Sequence, residues 1–132
     1  MEDYGAAADL REALRRFARR TELITRAHGL TPRSYQLLLM LKTGRHEAGR
    51  ASLGELEERL QLGKSTVTEL VLRSEDAGLV RRELDRVRRR AISVRLTDSG
   101  EQRLADVVGA LGDERSRLAE LLRGGDSPAT VV

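Results

Sequence analysis

The chain has 132 residues, enough for one domain with a real core but tight for two. Hydrophobic residues make up 39% and charged residues 34%, a globular balance, and the aromatics Tyr4, Phe17 and Tyr35 leave an aliphatic core. With no cysteine, a disulfide scaffold, a thiolate zinc site, a cysteine nucleophile and a thiol redox switch are all excluded. No stretch reaches the roughly 18 apolar residues of a membrane span, and the acidic start MEDYG is no signal peptide, so the expected location is the cytoplasm.

In chain order, residues 7–28 have helical period. Leu10, Leu14, Phe17, Thr21 and Ile24 fall on one face, and the arginines of this segment lie mostly elsewhere. His28-Gly29 is a stop. Thr31-Pro32 is an N-cap followed by proline at the first helical position, opening a buried helix through Tyr35, Leu38, Leu39 and Leu41. That helix ends before Gly44, read as a C′ glycine, and residues 45–51 read as a polar loop. Ser52 and Glu55 make a capping box in which Glu55 is expected to reach back to the cap, with Leu53, Leu56 and Leu60 as the apolar side of a short helix.

A turn at Gln61-Leu62-Gly63 leads to a helix over about 64–77, closed by Gly78. Residues 79–84 and 91–96 are predicted strands around a turn at 85–90. In the second, Ile92, Val94 and Leu96 alternate with Ser93 and Arg95. Thr97 caps a last helical region to about residue 123, with Leu104, Val107, Val108, Leu111, Leu118, Leu121 and Leu122 as its stripe and Gly109 and Gly112 as places to kink or split. The tail 124–132 has no period and reads as flexible.

The net charge is +3, and its distribution matters more than its size. Residues 81–95 carry seven arginines against Glu83 and Asp85, a local +5, which leaves −2 for the other residues. A nucleic-acid contact concentrates charge in this way. Helix, short turn, helix and then a basic hairpin is the order of a winged helix. If Val67 faces the core, Leu70, Val71 and Ser74 join it at about 100° per residue. Ser65, Glu69, Leu72 and Asp76 then face out, with Thr68 and Arg73 on the flanks. Hydroxyls on such a face suit phosphates and base edges, and apolar groups suit thymine methyls. Arg86, Arg88, Arg89 and Arg90 at a hairpin tip suit a minor groove or its phosphates.

At these residues the chain resembles the MarR (multiple-antibiotic-resistance-regulator) family of bacterial winged-helix transcriptional regulators. The segments that carry the likeness are KSTVTELV at 64–71, GLV at 78–80, Asp85 with Arg89-Arg90, and LTDSG at 96–100, all in order. The resemblance spans about residues 10–122. It implies a mainly α fold with a small β-hairpin wing, one domain over 1–132. Dimerisation helices would lie at 7–30 and 97–123, and a DNA-binding winged helix-turn-helix at 31–96. It further implies a homodimer on an inverted-repeat operator of double-stranded DNA in the cytoplasm, at the nucleoid, with a small-molecule effector and no cofactor. Lys64, Ser65, Thr66, Thr68, Glu69 and Arg73 match recognition-helix positions, and Arg86, Arg88, Arg89 and Arg90 match the wing. Leu10, Leu14, Phe17, Leu104, Leu111, Leu118 and Leu121 are the expected dimerisation residues, and Phe17, His28 and Tyr35 the candidate ligand pocket.

The chain departs from the family at several places. Gly63 stands where a serine cap is common, Glu69 where a basic residue is common, Arg88 where a second wing aspartate is usual, and Ser74 at an apolar core position. The end of the sequence predicts a short C-terminal dimerisation helix. His28 and His46 lack metal-site spacing, and no nucleophile–base pair, phosphate loop or catalytic carboxylate pair stands out, so no enzyme and no metal site is expected. The alternative function is a winged-helix protein-interaction module without operator binding. The scarcity of aromatics argues against a single-strand binder, and Val87 alone argues against membrane insertion.

Overall fold

A computed structural model describes residues 3–84 and 91–113, together with 116, 117, 119, 121 and 123. The named elements among these residues follow in the order α1 (Tyr4–Ala27), α2 (Pro32–Lys42), β1 (Arg50–Ser52), α3 (Leu53–Leu60), α4 (Lys64–Asp76), β2 (Val80–Leu84), β3 (Ile92–Leu96) and α5 (Asp98–Leu111). Among the described residues, no helix is long and apolar enough to cross a membrane.

Local chemistry sets most boundaries. Asp3 caps α1 by accepting the Ala6 N–H at 2.9 Å. The helix closes with Gly29 at φ 76°, while the Leu30 N–H donates to the Thr25 carbonyl at 2.8 Å. Thr31 and Ser34 form a reciprocal capping box at the start of α2: Thr31 Oγ1 accepts the Ser34 N–H at 3.1 Å, and Ser34 Oγ accepts the Thr31 N–H at 2.8 Å. Thr97 caps α5 by accepting the Gly100 N–H at 3.0 Å and donates its own hydroxyl proton to the Gly78 carbonyl at 2.7 Å.

α2 is the central helix. It contacts α1, α3, α4 and α5, and buries Tyr35, Leu37, Leu38 and Leu41. Around it gather Leu56 of α3, Val67, Leu70 and Val71 of α4, Val94 of β3, and Leu104, Val107 and Leu111 of α5. Burying such side chains is worth about 1.5–3 kcal/mol each before chain entropy is counted.

Three sequence expectations are corrected. Residues 50–52 form a strand rather than loop. β1 pairs antiparallel with β3, Ala51 opposite Val94, so the sheet order is β1-β3-β2. Gly44 follows α2 but has no positive φ. It is glycine because a Cβ there would lie 2.1 Å from the Arg50 carbonyl oxygen. Ser52 does cap α3, accepting the Glu55 N–H at 3.1 Å, but Glu55 does not reach back. Its Oε2 accepts the Arg45 N–H at 3.0 Å and the Arg59 guanidinium at 3.2 Å. Arg59 also donates to the Met40 and Thr43 carbonyls at 2.9 and 3.2 Å, where the last turn of α2 leaves acceptors open. Arg59, oriented by Glu55 one turn earlier on α3, thus fixes α3 against the end of α2.

Candidate nucleic-acid interface

α3 ends on Gln61 in the left-handed region at φ 56°, and Leu62 and Gly63 complete the turn into α4. Gly63 provides no side-chain cap, so the first N–H groups of α4 point outward without one. The faces of α4 divide as the spacing from Val67 predicts. Val67, Leu70, Val71 and Ser74 are buried, while Lys64, Ser65, Glu69, Leu72, Arg73 and Asp76 are exposed and Thr66 and Thr68 half-buried. The Ser74 hydroxyl is buried and has no hydrogen-bond partner among the described residues.

The outward face carries an ion pair that sequence spacing permits but does not require. Glu69 Oε1 accepts from the Arg73 guanidinium, one turn apart. Hydroxyls, one aliphatic group and this pair therefore share the surface that a groove would meet.

α4 and the hairpin are joined through the expected stop at Gly78 and through Glu75 and Arg82, which the sequence did not single out. Gly78, at φ 78°, turns the chain out of α4, and the Leu79 N–H closes on the Ser74 carbonyl at 2.9 Å. Glu75 Oε1 then accepts from Arg82 Nε at 2.8 Å, and its Oε2 from the Arg82 N–H at 3.2 Å. These bonds, the backbone one foremost, hold the Glu75 carboxyl below the usual carboxylate range. Across the sheet, Glu83 of β2 pairs with Arg50 of β1 at 2.5 Å and with Arg95 of β3 at 3.4 Å. Glu83 thus ties β2 to its neighbour β3 and, across β3, to β1. Arg86, Arg88, Arg89 and Arg90 lie outside the described residues.

The expected dimerisation residues split. Leu10 and Leu14 on α1 are 47% and 41% exposed, and Phe17 is half-buried. Leu104 and Leu111 are corrected: at 4% and 0% exposure they pack inside the chain's own core and offer no surface to a second copy. Leu121 is half-buried, and Leu118 lies outside the described residues.

The expected pocket splits too. Phe17 and Tyr35 line a cavity of about 790 Å³ between α1 and α2, together with Arg15, Arg16, Arg19 and Thr21. His28 is not part of it. Its carbonyl accepts from Arg103 of α5 at 2.9 Å, which makes it a joint between helices. A second cavity of about 490 Å³ lies between the α1–α2 turn and α4, with Thr66, Arg73 and Ser74 on its α4 side. Among the described residues no group of three or more His, Asp or Glu side chains is placed to hold a metal ion.

Comparison with known proteins agrees with this geometry. The family model described as the MarR family matches residues 28–91, from the end of α1 to the start of β3. The uncharacterised HTH-type transcriptional regulator YsmB of Bacillus subtilis (strain 168) is 30% identical over 105 residues, covering 76% of this chain and 69% of that protein. The crystal structure of AbsC, a MarR family transcriptional regulator from Streptomyces coelicolor, superposes with a TM-score of 0.67 at 25% identity, covering 89% of this chain and 74% of AbsC. Reduced AbfR bound to DNA superposes with a TM-score of 0.63 at 25% identity, covering 90% of this chain and 86% of AbfR. Winged-helix order, the divided faces of α4 and these likenesses agree: the chain belongs to the MarR family of transcriptional regulators, which act by binding DNA and not as enzymes.

Proposed function

We propose that this chain acts as a homodimer that binds an inverted-repeat operator in double-stranded DNA and represses transcription by blocking promoter access. α4 enters the major groove through Lys64, Ser65, Thr66, Thr68, Glu69 and Arg73. The 85–90 turn, with Arg86, Arg88, Arg89 and Arg90, meets the adjacent minor groove or its phosphates. The observation that carries this reading is the division of α4: four consecutive core-side positions are buried, and the polar positions opposite them are exposed beside a basic hairpin. The likeness to AbfR, whose structure is a DNA complex, supports it.

Dimerisation rests on the exposed Leu10 and Leu14, assisted by Phe17 and the 116–123 region. Two leucines on the apolar face of α1, left exposed among the described residues, favour burial against a second copy. An effector would occupy the cavity at Phe17 and Tyr35. The nearby Arg15, Arg16 and Arg19 favour an aromatic anion there. Such a ligand changes DNA affinity only if it prefers one spacing of the two recognition helices over another.

Fluorescence anisotropy on random duplexes at several salt concentrations, with sequencing of the bound fraction, tests the reading. A steep salt slope with an enriched inverted repeat is expected. Absence of binding at low salt would reject it and favour the protein-interaction module.

A further inference from the structure

We propose that Glu69 and Arg73 form the base-selecting unit of α4, and that this unit demands a cytosine within each half-site. The proposal rests on α4 being the groove-facing helix. It goes further by naming the base chemistry that the helix accepts.

Glu69 lies opposite the buried line of Val67, Leu70, Val71 and Ser74, on the side shared with Ser65, Leu72 and Asp76. A carboxylate there enters a polyanion, so it must be compensated. Arg73 does this from within the same helix, since its guanidinium already donates to Glu69 Oε1. Both side chains are exposed, and the pair joins no other element by any hydrogen bond among the described residues. The pair is therefore neutral as a unit, and Glu69 Oε2 still has acceptor capacity.

The major groove has few partners for an acceptor. Cytosine offers its N4 amino group and adenine its N6, whereas guanine and thymine present acceptors at the equivalent edges. Adenine N7, an acceptor beside N6, faces a carboxylate unfavourably, so cytosine is the better match. Arg73 has the opposite requirement, and guanine O6 and N7 satisfy it. Residues four apart stand about 6 Å apart along a helix. Base pairs are stacked about 3.4 Å apart. One Glu–Arg unit can thus read a cytosine and a guanine on the same or nearby base pairs. A guanine or thymine opposite Glu69 would leave a desolvated charge facing acceptors, and discrimination on the order of tenfold follows.

The test compares duplexes selected from a random pool by the full-length protein and by Glu69→Gln, with thermal unfolding of both. The wild type should enrich a half-site with one cytosine position preferred by about tenfold. Glu69→Gln should lose that preference in favour of adenine, which a carboxamide reads through N6 and N7. It should also bind mixed-sequence DNA more tightly, because a negative charge has left the interface. The proposal is overturned if Glu69→Gln selects the same cytosine as before, even if its unfolding temperature falls, because the pair then only supports the helix. A wild type that selects an inverted repeat with no preferred cytosine overturns this proposal alone. A wild type that binds no duplex overturns the groove reading with it.

Discussion

Glu75 in the last turn of α4 holds Arg82 of β2 by two bonds, one to its backbone N–H and one to its guanidinium. The end of α4 and strand β2 are therefore held together by side-chain bonds as well as by chain continuity. Because these bonds lower the folded-state pKa of Glu75, their contribution is present above the unfolded value of 4.5 and is lost as pH falls through the lower folded value. Glu75→Gln should lower the unfolding temperature at pH 7, and the gap to wild type should close in acid. Paired melting curves from pH 7 to pH 3 check this; a gap constant with pH would contradict it.

Ser74 places a hydroxyl without a partner in the core side of α4. Removing a buried unsatisfied group relieves its desolvation cost, so Ser74→Ala should stabilise the protein by about 1 kcal/mol. The check is the midpoint of urea unfolding, which should rise at unchanged slope.

Arg59, with its side chain 15% exposed, satisfies Glu55 and the open carbonyls of Met40 and Thr43 at once. Arg59→Ala removes one of two donors to the half-buried Glu55 carboxylate and the side-chain donor to the Met40 carbonyl, and should cost about 1.5 kcal/mol. Chemical denaturation monitored by circular dichroism measures it. A loss within about 0.5 kcal/mol, the range of ordinary surface substitutions, would refute the joint.

The two leucine groups should separate experimentally. Leu14→Asp should leave helix content intact and shift sedimentation toward a monomer, because Leu14 is exposed on the single chain. Leu111→Ala should instead lower stability by about 3 kcal/mol, because Leu111 is fully buried within that chain. If Leu14→Asp sedimented as the wild type does, the α1 stripe would not be the dimer contact.

Replacing Arg89 and Arg90 together by Ala should weaken binding to every DNA sequence and flatten the salt slope by about 2 units in log–log form. Thr68→Val should alter sequence preference and leave that slope in place. Anisotropy titrations on one selected and one scrambled duplex distinguish the two.

Much of the local architecture is legible in the residues themselves. Thr31, Ser52 and Thr97 mark helix starts because a side-chain oxygen can satisfy backbone N–H groups two or three positions on. Val67, Leu70, Val71 and Ser74 define one side of α4 because helical period is a property of the chain alone. The residue types from Ile92 to Leu96 mark β3 by their alternation, although burial does not follow it strictly, since Ser93 is buried too.

The rest depended on partners distant in sequence. Three residues at 50–52 cannot display a strand period, and they form a strand because β3 presents an open edge. Glu55 has the right type and spacing to complete a capping box, yet Arg59 and the Arg45 N–H compete for it more favourably. Leu104 and Leu111 look like Leu10 and Leu14 in sequence, since periodicity reports which face is apolar and not what covers it. By itself the sequence determined the helices, the capping residues Thr31, Ser52 and Thr97, the outward face of α4 and the winged-helix order, all from interactions within a few residues. Only the tertiary structure decided which apolar stripe closes within one chain, and how α4 is fastened to the hairpin. Those outcomes depend on surfaces that meet only after the chain has folded.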